Sequence, residues 1–191
     1  SIEEGERTLQ VEPNITVHAF NSYFYDGQYE KFIVGLPMKE MSYFLFYRGL
    51  GYYYLKDRER AATTFDRAYE IKPADLFSQI GKSLSFAIKG ERAAGINILR
   101  GVEEKLISRG VADGEFIYKV AQAYAVLGEK AAALRLLERS IELGFFCYPY
   151  FMRDELLENI RGEAKYLQLM ERARERHEAF RRKFFTAYEA K

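Results

Sequence analysis

Hydrolysis, group transfer and metal binding rest on a small set of side chains, and this chain has few of them in a useful arrangement. Its two histidines, His18 and His177, fall on distant elements, and Cys147 is the sole cysteine. A catalytic site needs titratable groups that converge and perturb one another. No CxxC, HExxH, phosphate-binding glycine loop or GxSxG string is present. His177 sits on an apolar stripe and reads as a packed or edge histidine, and Cys147 as a small buried hydrophobe. The adjacent carboxylates Glu103-Glu104 and Asp154-Glu155 are of the kind that line solvated helices. The expectation is a protein that catalyses nothing and carries no cofactor or metal.

Composition bounds the rest. The 191 residues are 48% hydrophobic and 30% charged, a globular balance with enough chain for a buried core. No apolar run approaches the roughly 20 residues a membrane-spanning helix requires. A single cysteine excludes an internal disulfide and leaves the compartment open. Net charge is +1, which disfavours a general nucleic-acid binder. The 15 Tyr and 15 Phe, with no Trp, are clustered rather than spread.

The elements that position these aromatics come in a repeat. From Ser42 to Pro73, Gly49 and Tyr52 share a face of one helix. Lys56-Asp57 then turns the chain, and Ala61, Phe65 and Ala68 recur along a second helix that Pro73 stops. Thirty-four residues on, Ser83, Phe86, Gly90, Gly95, Leu99 and Val102 take the same places. After a further 38 come Ala121, Tyr124, Gly128, Ala133, Leu137 and Ser140, with the excess assigned to a loop over Gly110 to Gly114. Small residues let paired helices approach, and aromatics or leucines fill the space between them.

Upstream, Leu9 to Pro13 matches the end of a second helix, and a short hairpin is expected over about Thr16–Tyr25 and Gln28–Leu36, turning at Asp26-Gly27 and cut short by Pro37. The chain thus begins inside a repeat, and with Ser, so it is expected to be a fragment of a longer protein. Downstream, Pro149 is expected to keep the aromatic run Phe145 to Phe151 out of a long helix. A short helix over about Arg153–Ile160 and a long one over about Glu163–Tyr188 should follow. In the long helix Tyr166, Met170, Ala173, His177, Phe180 and Phe184 form one packing stripe. Its other face is charged, with Arg174 and Glu178, and Glu178 and Arg182, one turn apart.

Small residue, aromatic, turn, small residue, bulky apolar, small residue, three times in phase, resembles the tetratricopeptide repeat family. That resemblance implies an all-α fold: a right-handed superhelix of helix hairpins closed by a C-terminal capping helix. The expected organisation is a single repeat domain over 1–191. It comprises the end of a truncated repeat (1–13), an abbreviated repeat (14–41), full repeats over 42–75, 76–113 and 114–147, and a cap over 148–191. The segment from Gly144 to Phe184 is similar to the tail that closes repeat regions of bacterial multidomain signalling proteins, where repeats follow a serine/threonine kinase or winged-helix DNA-binding domain.

In that family the first helix of each repeat lines the inner face, where ligands bind. The matching positions here are Tyr43, Phe46, Tyr47, Leu50, Tyr53 and Tyr54, then Phe77, Ile80 and Leu84, then Tyr118, Lys119 and Gln122. Phe46, Leu50 and Gly81 stand where a carboxylate-binding clamp would want polar groups, which disfavours a chaperone-tail ligand. The resemblance implies a non-catalytic scaffold, part of a larger bacterial signalling or regulatory protein, that binds a protein or peptide on the aromatic inner face. Tyrosine and phenylalanine clusters suit such contacts. Three occupants of that face stay open: an external peptide, a second copy of the chain, or the abbreviated repeat or N-terminal segment folded into it. Weak nucleic-acid contact through the basic last helix is a lesser alternative. A cytoplasmic setting is favoured, with an extracytoplasmic one open if a missing part spans the membrane.

Overall fold

The computed structural model describes the backbone of residues 16–35 and 40–185, and side chains from residue 21. Leu9 to Pro13, Leu36 and Pro37 lie outside the described residues. Every regular element among those described is helical: α1 (Thr16–Asp26), α2 (Tyr29–Gly35), α3 (Ser42–Tyr54), α4 (Arg58–Ile71), α5 (Leu76–Ile88), α6 (Arg92–Ser108), α7 (Gly114–Val126), α8 (Lys130–Glu142), α9 (Tyr148–Arg153), a 3₁₀ turn (Glu155–Ile160) and α10 (Ala164–Phe184). The architecture is an all-α, tetratricopeptide-like series of helix hairpins, in which α3, α5 and α7 open successive repeats.

Backbone chemistry explains where the hairpins begin and turn. Asp75 and Asp113 cap α5 and α7, accepting from the amides of Ser78 and Phe116, while Asp57 caps α4 through Arg60. Each hairpin turns through a left-handed residue at the same repeat position: Lys56 (φ 66°), Gly90 (φ 79°) and Gly128 (φ 76°). Glycine adopts this conformation without steric cost, and Lys56 does so against the usual preference. Gly27 (φ 84°) turns the α1–α2 hairpin in the same way.

The repeat pattern coincides with the core. The small positions Gly49, Ser83 and Ala121 are buried, as are Ala61, Gly95 and Ala133, and Ala68, Val102 and Ser140. So are the bulky partners Phe65, Leu99 and Leu137. Polar members are satisfied by main chain: the Ser83 hydroxyl donates to the Ile80 carbonyl and the Ser140 hydroxyl to that of Gly114.

The chain divides into two compact units, one ending at Val102 and the other beginning at Glu103, within α6. In the first unit α3 packs on α4, α4 on α5, and α2 on α3. Asp66 of α4 accepts from Lys82 (2.8 Å), Ser85 (2.8 Å) and Lys89 (2.5 Å) of α5 and the residue after it. Burial pushes its carboxyl up, but these donors outweigh that and hold it below the ordinary value. In the second unit α7 packs on α8 and on the 3₁₀ turn, and α10 packs on α8 and α9.

Three details depart from the sequence reading. The residues added between the second and third repeats lengthen a helix as well as a loop, for α6 has 17 residues where α4 has 14. The aromatic run stays out of a long helix but does form the six-residue α9, with Pro149 in its first turn, where its missing N–H costs nothing. The helix expected over about Arg153–Ile160 is a 3₁₀ turn over Glu155–Ile160, with Arg153 ending α9 and Asp154 extended between the two. Lastly, the stripe of α10 is buried at Tyr166, Met170 and Ala173, but Phe180 and Phe184 are exposed.

Candidate functional site

The inner face of the first unit is built on α3. Its one-turn spacing puts Tyr43, Tyr47 and Phe46 beside Phe77 of α5, with Tyr43 and Phe77 edge to face at 5.3 Å and Phe46 and Phe77 also 5.3 Å apart. The α1–α2 hairpin fills the far end. Phe24 packs edge-on against Tyr47 (5.4 Å) and Tyr54 (5.7 Å), and Tyr29 stacks on Tyr54 at 4.5 Å. Tyr53 is covered by the Arg58 guanidinium, 3.4 Å from its ring centroid.

Phe46, Tyr47, Leu50, Tyr53, Tyr54, Ile80 and Leu84 are accordingly buried. Tyr43 and Phe77 remain half-exposed. The two are repeat equivalents, and they form the accessible part of the aromatic face. Filling from within describes the rest of it, because a short hairpin supplies its own aromatics where a full repeat would leave a groove.

The inner face of the second unit is closed as well, by the cap. Tyr118, Lys119 and Gln122 of α7 are all buried, covered by Tyr150, Phe151 and Asp154. Phe151 stacks on Tyr118 at 4.6 Å. The Asp154 carboxylate, 0% exposed, accepts from the Tyr118 hydroxyl (2.5 Å), Gln122 Nε2 (2.5 Å) and the Leu156 amide (3.0 Å). Around it, Arg161 donates to the Asp154 carbonyl (2.9 Å) and to Tyr166 (3.2 Å), and Asn159 to the Ala125 carbonyl (2.9 Å).

Asp154 corrects the reading of Asp154-Glu155 as a solvated pair. Nothing about its own position distinguished it. The available signal was the aromatic run before it, too apolar to stay in water and within reach of α7.

Lys119 is 1% exposed, with its ammonium donating to Tyr150 (3.4 Å) and lying 5.2 Å from that ring. Burial lowers its pKa to about 8, although Glu115, Asp154 and Cys147 pull it upward. Burial also raises Tyr118, Cys147 and Tyr166. The unfolded chain holds the Lys119 proton up to about pH 10.4. Between about 8 and that value the unfolded state binds more protons, so a rise in pH favours folding. Lys119→Met should therefore be more stable than wild type at pH 7. Its advantage should shrink above pH 8 by up to about 1.4 kcal/mol per pH unit, measured as paired urea midpoints at pH 7, 8 and 9.

Elsewhere, His177 is half-buried on α10 and lowered by burial and by Arg181. Cys147 is half-buried just before α9. Among the described residues no group of three or more His, Cys, Asp or Glu is placed to hold a metal ion, and no helix is long and apolar enough to cross a membrane.

No protein family matches the chain, and no curated protein matches it. Among solved structures it is similar to MamA 41-end from Desulfovibrio magneticus RS-1, at 16% identity and a TM-score of 0.45, over 86% of this chain and 93% of that one. It is also similar to a MamA RS-1 ArsTM double mutant, at 16% identity and a TM-score of 0.44, over 84% and 91%.

Proposed function

We propose that this chain is a non-catalytic interaction scaffold that holds a protein or peptide partner at the Tyr43–Phe77 edge of its first unit. The reading is carried by one observation. These two rings, equivalent in successive repeats and 5.3 Å apart, stay half-exposed while the residues around them are buried. Buried Phe46 and Tyr47 back them, so the edge is rigid and a bound side chain would lose little entropy in ordering it. Leu50, Tyr53, Tyr54, Ile80 and Leu84 of the same unit are buried and serve as supporting wall. The likeness of the last 40 or so residues to the tails of bacterial signalling proteins supports a place within a larger regulatory chain.

Peptides selected by display on the wild-type chain provide the test. They should bind Tyr43→Ala/Phe77→Ala at least tenfold more weakly, since truncating a central aromatic contact commonly costs about 2 kcal/mol. Equal binding by the folded double variant would overturn the reading. The second reading, a homo-oligomer through the same edge, predicts a concentration-dependent mass in light scattering that the double variant loses.

A further inference from the structure

We propose that the end of α10 is a docking surface for an anionic lipid membrane. Among the described residues, Phe180, Phe184 and Phe185 are the only exposed aromatics, at 44%, 51% and 51%, the other described ones being buried or half-buried. They are not scattered. Phe180 lies 4.8 Å from Phe184 and 6.1 Å from Phe185, so the three rings form one patch. Three cations, Arg181, Arg182 and Lys183, are threaded between them and exposed. From Ala179 to Phe185 there is no carboxylate. Arg182 lies 3.8 Å from Glu178 in solvent, and Arg181 and Lys183 are exposed beside the rings.

A helix end with clustered aromatics and interleaved cations matches an anionic interface twice over. The rings enter the acyl boundary while the cations stay among the headgroups. A second copy fits less well. Three half-exposed phenylalanines offer about 300 Å², against roughly 800 Å² per partner in a stable dimer. A nucleic acid would use the cations and leave the phenylalanines in water unless bases stacked on them.

The test is co-sedimentation of the full chain with phosphatidylcholine vesicles, with and without about 30 mol% phosphatidylserine. Binding is expected to the anionic vesicles alone and to weaken in about 0.5 M salt. Arg181→Gln/Arg182→Gln/Lys183→Gln should lose about 100-fold, near fivefold for each cation at the surface. Phe180→Ser/Phe184→Ser/Phe185→Ser should lose at least tenfold, with circular dichroism and urea midpoint unchanged. The proposal is overturned if anionic vesicles bind no better than neutral ones, or if either triple variant binds as wild type does. It is also overturned if the phenylalanines drive self-association in place of vesicle binding. The same holds if the chain binds a mixed-sequence oligonucleotide, in an arginine-dependent way, while ignoring vesicles.

Discussion

Replacing Asp154 with alanine should cost the second unit about 3–5 kcal/mol, read as a lower urea midpoint and faster amide exchange over residues 114–170. The carboxylate is fully buried and three donors aim at it: the Tyr118 hydroxyl, the Gln122 amide and the Leu156 N–H. Removing it strands all three in an apolar surround built by Phe151 and Phe145 against Tyr118. Asp154→Asn should rescue little. Both carboxylate oxygens accept, so either orientation of the amide turns an NH₂ group towards a donor. A different result would show that packing alone holds the cap: the Asn and Ala variants both within about 1 kcal/mol of wild type.

Gly49→Ala should destabilise the first unit by about 2–3 kcal/mol, despite alanine's better helix propensity. A β-carbon there would lie 2.4 Å from the Phe65 ring, and one at Gly81 would lie 2.9 Å from it. The ring is fully buried between these two helices, with Phe46 at 6.1 Å, and has nowhere to move. The other two repeats show the remedy. There the bulky position is Leu99 or Leu137, and the small position can carry the side chain of Ser83 or Ala121. The double variant Gly49→Ala/Phe65→Leu should accordingly be more stable than Gly49→Ala alone. A double-mutant cycle should give a coupling of about 1–2 kcal/mol. Additive losses would mean that the ring and the glycine do not meet.

This complementarity also explains why so much of the fold was legible without coordinates. Position 8 of each repeat must be small because a helix crosses there, and the bulky residue sixteen positions on must fill the gap left. Such a rule is local, one hairpin long, and it recurs, so three copies in phase expose it. The turn at Lys56, Gly90 and Gly128 follows the same logic, since only the backbone between two adjacent helices is involved.

The candidate sites were less legible, because what covers a face is decided by segments far away in sequence. The pattern identifies Tyr47, Tyr54, Tyr118 and Lys119 as inner-face residues. It does not say that Phe24 and Tyr29 pack against the first pair, or that Tyr150 and Asp154 close over the second. Nor does it say where the stripe of α10 ceases to be covered. Periodicity continues through Phe184, whereas burial stops after Ala173 apart from the half-buried Arg176 and His177. Helical spacing is a property of one element. Burial is a property of two, and the second has to be placed by the whole chain. The sequence alone therefore determined the repeat, its turns and its small-to-large pairing, while tertiary structure decided which of the inner-face and last-helix aromatics still meet solvent: Tyr43 and Phe77 in part, Phe180 and Phe184 more fully.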